Sequence, residues 1–559
     1  MGETRISKRF FNQYETIVQH SIDGLISAAG TEANGQPKLV RLDGYPHIKV
    51  VVRGDWEKDK VAIISGGGAG HEPAHAAFVG HGMLTAAVSG EIFASPSVDA
   101  VLEAILSVTG PAGCLLVVKN YTGDRLNFGL AAERAKQLGL AVEMVIVGDD
   151  VAIPDSPQPR GVAGTLFVHK YAGYLSEQGE SLSSLKMKVE AFAKRIYTLG
   201  MSLSTCAQPG RAFEERLKED EAEVGLGIHG EPGRTKVQMQ PASQLVGMLL
   251  EQLENSLPPE NLRYAVMVNN LGAVPPMEMN LIVNELMGSS LMDRVDYLFG
   301  PGHLMTALNM NGFSISLVAL DPQSIPALLA EVGPSAWLPA VQPAKVTTIP
   351  RQNSNQGASY SPSENAKTRA AILAVKKAIL EAEGELNNLD AKVGDGDAGS
   401  TFASGVKAIA DQIDDLPLAD TAPLLRAFGT ILGEGMGGSS GILLSIFFNA
   451  AAKAMSEGAT FSEGLWKGVG QMQFYGGAKE GDRTMLDAMI PALRELDASG
   501  DLNKVYLQAK AGSTRTAEIT TTSSGRSAYL TESDLLGTVD PGAKAVALII
   551  EAIVDVILQ

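Results

Sequence analysis

The amino-acid sequence predicts two unlike halves, a two-lobed α/β half followed by an all-α domain. Three observations support this. The chain has 559 residues, more than one hydrophobic core usually serves. Short apolar runs alternate with helix-patterned segments up to about residue 338, whereas from residue 366 the apolar spacing is helical. Between them, residues 339–365 (PAVQPAKVTTIPRQNSNQGASYSPSEN) are rich in Pro, Ser, Gln and Asn and lack periodic apolar positions, so they read as a linker. The expected divisions are residues 1–338, a linker over 339–365, and residues 366–559.

In chain order, Val61 to Ile64 reads as a buried strand, Cys114 to Lys119 as a second and Ala141 to Val147 as a third. Leu126 to Gln137 has helical apolar spacing, which makes the last two strands and this segment a βαβ-like unit. Beyond the linker, helices are predicted over Thr368 to Glu383, Thr401 to Ile413, Pro423 to Leu432, Ile442 to Met455, Thr484 to Leu496 and Ala543 to Leu558.

Composition narrows the function. Hydrophobic residues make up 45% and charged residues 19%, enough apolar surface for substantial cores. A net charge of -18 argues against nucleic acid or an anionic membrane as partner, and a small anionic substrate would need a metal or a locally positive site. No apolar run is long enough for a transmembrane helix, and Met1 to His20 lacks the apolar core of a signal peptide, so the cytoplasm is expected. Cys114 and Cys206 form no C-x-x-C pair and read as small core residues.

All eight histidines precede the linker, while the aspartate cluster of Asp390, Asp395 and Asp397 follows it. Leu389 to Ser400 (LDAKVGDGDAGS) sets Asp390, Asp395 and Asp397 among glycines, oxygen ligands suited to Mg²⁺ beside backbone N–H groups suited to phosphate. A solvated Asp/Gly turn is the plain alternative, and an EF-hand is disfavoured because the twelfth loop position carries no Glu. In the first half, Ser65 to Pro73 (SGGGAGHEP) follows a strand and precedes a helix-like pattern. It fits neither G-x-G-x-x-G nor the P-loop. His71 to His75 spells H-E-x-x-H, but Pro73 and the glycines place His71 at a helix start, against a zinc protease. A glycine loop and helix N-terminus offering N–H donors to an oxygen-rich ligand is the remaining reading, with a tight packing turn as its competitor. His229 lies in a second glycine-dense segment, GLGIHGEPG, where a structural histidine and a reactive one both fit. Lys119 and Asp124 flank the C-terminal end of a strand, where α/β sites form, although Asp124 also suits a helix N-cap.

The segments GGGAGHEPAHAAFVGHGMLTAAVSGEIFASPS, VVKNYTGDRLNFG, GLGIHGEPG, LDAKVGDGDAGST, GMGGSSG, GDRTMLDAMIPA and VDPGAK, in this order, resemble the single-chain, ATP-dependent dihydroxyacetone kinases from about Val40 to the C-terminus. The resemblance implies a dihydroxyacetone-binding domain of two α/β lobes, an ATP-binding domain built as an eight-helix barrel, and Mg²⁺, two ions, with ATP as co-substrate. By position it implies substrate contacts at Gly68, Ala69, Gly70, His71, Lys119 and Asp124, and covalent hemiaminal capture of the carbonyl carbon by His229, with His71 and Asp124 also catalytic. It implies metal ligands at Asp390, Asp395 and Asp397. Nucleotide contacts fall on Ala398, Gly399, Ser400, Ser439, Ser440, Thr484, Met485, Asp540, Pro541 and Gly542. Ala69, Ala398 and His81 depart from the commonest family wording, which bears on affinity more than on the reaction. Glyceraldehyde is a further expected substrate, and a homodimer is expected in which the nucleotide domain of one chain faces the substrate domain of the other. Two alternatives remain at this stage, cyclisation of a flavin nucleotide at the same site and an inactive regulatory homologue.

Overall fold

The computed structural model describes residues 9–154, 156–210, 216–350, 360–522 and 531–559. It divides into two compact units, Met1–Thr348 and Ile349–Gln559.

The first unit holds two six-stranded sheets. Sheet one contains β1 (Leu39–Arg41), β2 (Val50–Arg53), β3 (Ala62–Ala69), β4 (Ala86–Ile92), β5 (Cys114–Lys119) and β6 (Val142–Val147) in the order β1-β2-β4-β3-β5-β6. Its centre, β4 to β6, is parallel. Strand β5 is buried throughout because both faces are covered: Leu115 and Val117 enter one core, Cys114, Leu116 and Val118 the other. Sheet two contains β7 (Ile196–Ser202), β8 (Glu221–Val224), β9 (Thr235–Gln238), β10 (Tyr264–Asn270), β11 (Val295–Gly302) and β12 (Gly312–Ala319), ordered β11-β10-β12-β7-β8-β9 and mainly antiparallel.

The helices of this unit are α1 (Ile17–Ala29), α2 (Val98–Val108), α3 (Thr122–Gln137), α4 (Thr165–Glu177), α5 (Leu182–Ala193), α6 (Ala242–Glu254), α7 (Pro276–Met287) and α8 (Ser324–Leu329). Helix α4 is buried on nearly every side, and Phe167 meets Phe299 of β11 edge to face at 5.4 Å. One continuous core thus joins the lobes, which share residues such as Leu166, Phe167, Met267 and Phe299.

Two local readings change. Strand β3 does not stop at Ile64 but carries Gly66, Gly67 and Gly68 into the sheet, where a Cβ on Gly66 would lie 2.2 Å from the Val88 carbonyl oxygen. No α-helix follows the glycines. The segment makes only a 3₁₀ turn, Ala76–Phe78, because its apolar residues Ala74, Phe78, Val79, Met83 and Leu84 are buried on all sides and not along one helical stripe. The helix N-terminus expected at His71 is therefore absent. Helix α3, in contrast, starts at Thr122, four residues before the predicted Leu126, which brings Asp124 into its first turn and not to the N-cap.

The second unit is helical: α9 (Ala366–Val393), α10 (Ala398–Asp411), α11 (Thr421–Gly435), α12 (Gly438–Ser456), α13 (Phe461–Gly476), α14 (Leu486–Ser499), α15 (Leu502–Arg515), the short α16 (Glu532–Leu535) and α17 (Pro541–Leu558). Of the long helices, α13 and α15 were not anticipated. Exposed Phe461, Phe474 and Tyr475 blur the apolar stripe of α13, and α15 buries only Val505, Ala509, Gly512 and Ser513. Each long helix packs on the next and α17 closes against α9, so the eight form a ring.

The stretch expected as a linker is anchored at both ends. Val341 exchanges backbone hydrogen bonds with Leu298 at 2.8 and 2.9 Å, and the Leu418 N–H donates to the Ser363 carbonyl at 3.0 Å. Residues 351–359 of that stretch lie outside the described residues.

Candidate active site

Four segments of the first unit converge on a cavity of ≈ 300 Å³: the glycine end of β3, the turn after β4, the β5–α3 junction and the turn after β8. Glycine is required where strands and turn meet. A Cβ at Gly68 would lie 2.7 Å from the Ala94 nitrogen, and Gly70 takes φ +98° with the Phe93 ring only 2.7 Å from where a Cβ would sit.

His71 is fully buried, and the His229 side chain is 17% exposed. The two Nε2 atoms are 3.1 Å apart. His71 Nδ1 lies 2.8 Å from the Thr306 carbonyl, which only accepts, so Nδ1 carries the hydrogen. Burial, with Lys119 and His229 nearby, holds the His71 pKa well below its usual value, and a neutral ring then presents its Nε2 lone pair to His229. On the other side, His229 Nδ1 faces a Glu231 carboxylate oxygen at 3.1 Å, while the Glu231 second oxygen accepts from the His229 backbone N–H at 2.9 Å. Burial alone would raise the Glu231 carboxyl, but the hydrogen bonds and charge of His229 overrule it and hold it at about 2. His229 thus faces two acceptors, and a neutral imidazole has a single N–H to serve them. Protonation of both nitrogens would serve both acceptors, and bonding Nε2 to carbon removes one of them from the competition, leaving a cationic ring whose Nδ1–H faces Glu231.

The remaining wall is aromatic and acidic. Phe93 stacks on His71 at 5.3 Å, and Tyr121 meets His229 edge-on at 4.5 Å. Asp124 is buried and accepts a hydrogen bond from Ser95 Oγ. Among the described residues Lys119 Nζ is buried without a hydrogen-bond partner, and a Cβ at Gly67 would sit 3.3 Å from it and 3.5 Å from an Asp124 carboxylate oxygen. Burial pushes the Lys119 ammonium down, against the pull of Asp124, Glu231 and Asp149. The structure therefore brings together Gly68, Ala69, Gly70, His71, Lys119, Asp124 and His229, as the sequence reading grouped them. Sequence reasoning gave no role to Glu231, Phe93, Ser95 or Tyr121. Glu231 was findable, as the carboxylate two residues from a histidine in a glycine turn; Phe93 and Ser95 were not, because only the fold carries the turn after β4 across the site. His75 turns away toward His169, ring to ring at 5.2 Å, so the H-E-x-x-H residues do not converge on a metal.

In the helical unit, carboxylate oxygens of Asp390, Asp395 and Asp397 lie within 4.8 Å of one another, the one such group among the described residues. Asp390, in the last turn of α9, accepts from the N–H groups of Gly396, Asp397 and Ala398 at 2.9, 3.0 and 3.3 Å. Three hard oxygen donors without nitrogen or sulfur fit Mg²⁺. Ala398 to Ser400 open α10, Ser439 and Ser440 open α12, Thr484 and Met485 precede α14, and Pro541 and Gly542 open α17, capped by Asp540. These are the second, fourth, sixth and eighth long helices of the ring; short connections make the first seven antiparallel to their neighbours, and Gly542 at the start of α17 meets Met485 ahead of α14, so the four N-termini share one end. Partial positive charge and free N–H groups gather there, a setting for phosphate.

Comparison with known proteins bears on this pair of sites. A Dak1 domain model matches residues 32–335 and a DAK2 domain model matches residues 392–555. The chain is 47% identical to "Dihydroxyacetone kinase" of Citrobacter freundii over 98% of this chain and 99% of that protein. It belongs to the dihydroxyacetone kinase family. Family likeness extends to the fold: the crystal structure of the C. freundii dihydroxyacetone kinase in complex with AMP-PNP and Mg²⁺ superposes with a TM-score of 0.76 at 46% identity, covering 98% of this chain and all of that one. The rat "Triokinase/FMN cyclase" is 38% identical, over 99% of each chain. No helix among the described residues is long and apolar enough to cross a membrane.

Proposed function

We propose that this member of the family transfers the γ-phosphate of ATP to a hydroxyl of dihydroxyacetone, held as a hemiaminal on His229. The observation that carries this reading is the His71–His229–Glu231 line at 3.1 and 3.1 Å beside buried Asp124. With Nδ1–H held on Glu231, His229 gives its Nε2 proton to His71; the freed Nε2 lone pair adds to the carbonyl carbon, the carbonyl π pair moves to oxygen, and His71 returns the proton to that oxygen, which becomes the hemiaminal hydroxyl on a cationic ring. Glu231 keeps the ring oriented through Nδ1. Covalent attachment fixes a small, flexible molecule, so the later transfer is a positioned event. Asp124, held by Ser95, takes the proton of the terminal hydroxyl as its oxygen attacks the γ-phosphorus and ADP leaves. Gly68, Ala69, Gly70 and Lys119 complete the substrate contacts.

Asp390, Asp395 and Asp397 would hold Mg²⁺, two ions, which neutralises phosphate charge when bound. Ala398, Gly399, Ser400, Ser439, Ser440, Thr484, Met485, Asp540, Pro541 and Gly542 would hold the nucleotide. The protein acts in the cytoplasm as a homodimer, with domains 1–338 and 366–559 on either side of the 339–365 linker. Limited proteolysis should cut first within that linker, and sedimentation should give twice the chain mass.

The deciding experiment incubates purified protein with Mg²⁺, ATP and dihydroxyacetone, glyceraldehyde, glycerol or flavin adenine dinucleotide, and follows which is consumed. Dihydroxyacetone and glyceraldehyde should be phosphorylated and glycerol, which has no carbonyl, should be poor. Hydrogen bonds alone would discriminate by about 1 to 3 kcal/mol, and loss of a covalent anchor costs more. Equal turnover of glycerol would overturn capture at His229. Flavin consumption in place of dihydroxyacetone would favour the cyclase reading that the rat relative's name supports.

A further inference from the structure

Among the described residues, the largest fully buried side chain is a charged one, Arg483, 2% exposed, in the segment between α13 and α14. Its backbone is left-handed at φ 55°, a region non-glycine residues rarely hold unless their surroundings fix them. Among the described residues, its guanidinium donates to main-chain carbonyls. Nη1 donates to Thr516, to Ile519 at 3.0 Å and to Leu535 at 3.2 Å, and Nη2 donates to Thr538 at 2.9 Å. These oxygens lie on two separate stretches, the exit from α15 and the approach to α17, and those of Thr516 and Leu535 also accept from the Ile519 and Thr538 N–H groups at 3.3 and 3.2 Å.

Both stretches are tied to each other and to the Arg483 segment. The Gly537 N–H donates to the Ala517 carbonyl at 2.8 Å, the Asp540 N–H to Thr516 Oγ1 at 2.8 Å, and Thr522 Oγ1 to the Asp482 carbonyl at 2.7 Å. On either side of Arg483, the N–H groups of Gly481 and Thr484 donate to the two oxygens of Asp487 at 2.7 and 2.8 Å. Directly beyond this knot, Gly542 packs against Met485, whose Cγ lies 2.9 Å from where a Cβ on Gly542 would stand.

We propose that Arg483 is a positioning residue for the nucleotide: its guanidinium fixes the approach to α17 against Thr484 and Met485, so that Asp540 to Gly542 and Thr484 to Met485 face ATP in one fixed geometry. The proposal rests on the nucleotide role assigned to those five residues. A lysine cannot replace the guanidinium, because one compact ammonium does not reach carbonyls spread over two stretches. Arg483 itself touches no substrate; it acts through the backbone it holds.

The test uses the full chain with Arg483→Lys, compared with wild type and with Ile379→Val, a core change on α9 of the same helical unit. Steady-state KM values for ATP and dihydroxyacetone, MgATP affinity by calorimetry and thermal unfolding are measured for each. Arg483→Lys should raise the ATP KM and the MgATP dissociation constant about tenfold or more while the dihydroxyacetone KM stays within about twofold. Ile379→Val should lower the unfolding temperature without that split. An unchanged MgATP affinity in folded Arg483→Lys, or the same rise in Ile379→Val, overturns the proposal. Should Arg483→Lys fail to fold, Thr516→Val, which cuts the tie to the Asp540 N–H, decides: a rise of about threefold or more in ATP KM supports it, and no change overturns it. Wild-type protein that binds no MgATP would overturn the nucleotide reading itself, which the wild-type arm reports separately.

Discussion

The two units build their sites by opposite means. In the α/β unit the reactive groups are buried among packed rings: His71 is inaccessible, Phe93 and Tyr121 close on the imidazoles, and each ring nitrogen has an assigned partner. In the helical unit Asp395 and Asp397 are exposed, and the neighbourhood is set by helix ends and backbone N–H groups. A carbon–nitrogen bond needs a nucleophile held to within a fraction of an ångström, which packing provides. A polyanion with a cation needs charge and donors at one mouth, and the ligand completes the geometry. The first site is finished on folding, whereas in the second folding fixes the helix ends and leaves Asp395 and Asp397 exposed.

The largest effect that would break this comparison is at His229. His229→Ala should abolish covalent capture, lowering turnover of dihydroxyacetone by about 10³-fold or more, and intact-protein mass spectrometry should lose any ketone adduct. A variant with unchanged ketone affinity would make His229 structural. Next, Asp395→Asn or Asp397→Asn should lower ATP-dependent turnover by a comparable factor, on the order of 10³, yet leave ketone capture intact, because the two sites are built independently. Near-native turnover at saturating Mg²⁺ would remove the metal role.

A smaller effect is expected at Glu231, whose carboxylate orients the nucleophile without touching the reacting atoms. Glu231→Gln should cost about 10- to 100-fold in kcat/KM for dihydroxyacetone, with the ATP KM unchanged. An equal loss at saturating and limiting ketone would locate the effect after capture.

The smallest effect separates the units by pH. Burial holds the pKa values of His71, His75 and His169 below 6.5, that of His169 at about 3, so unfolding lets them take up protons below that pH. The unfolded state then binds more protons, and stability of the α/β unit rises with pH up to about the unfolded histidine value. Asp149, Asp150 and Glu72 are raised by burial and oppose this, Asp149 at about 6. In the helical unit, burial pushes the Asp540 carboxyl up to about 7, against a hydrogen bond from the Ala543 N–H and the pull of Arg483. There the folded state binds the extra proton, so stability falls as pH rises from the unfolded value, 3.8, toward 7. Hydrogen exchange at pH 6 and 7 should therefore show core amides of the first unit less protected at pH 6 and those around Asp540 more protected. Parallel shifts in both units would contradict the assigned burial.

Periodicity and composition sufficed wherever a segment's neighbours matched its own pattern. Cys114 to Lys119 is a strand because six successive apolar or long-stemmed residues suit a sheet covered on both faces, and Asp390 to Ser400 announces oxygen ligands and phosphate donors because side-chain chemistry is local. The order of motifs also identified the family without coordinates. What only tertiary structure decided is which distant residues meet. Nothing local says that SGGGAGHEP enters a sheet and turns without a helix, since that follows from Val88 and the buried environment of Phe78 and Met83. Likewise the pairing of His71 with His229 across 158 positions, the stacking of Phe93, and the four carbonyls gathered by Arg483 depend on chain crossings that no window of sequence contains. Sequence fixes what each residue is able to donate, accept or bury. Folding decides the partners, because hydrogen bonds and packing act over a few ångströms regardless of separation along the chain.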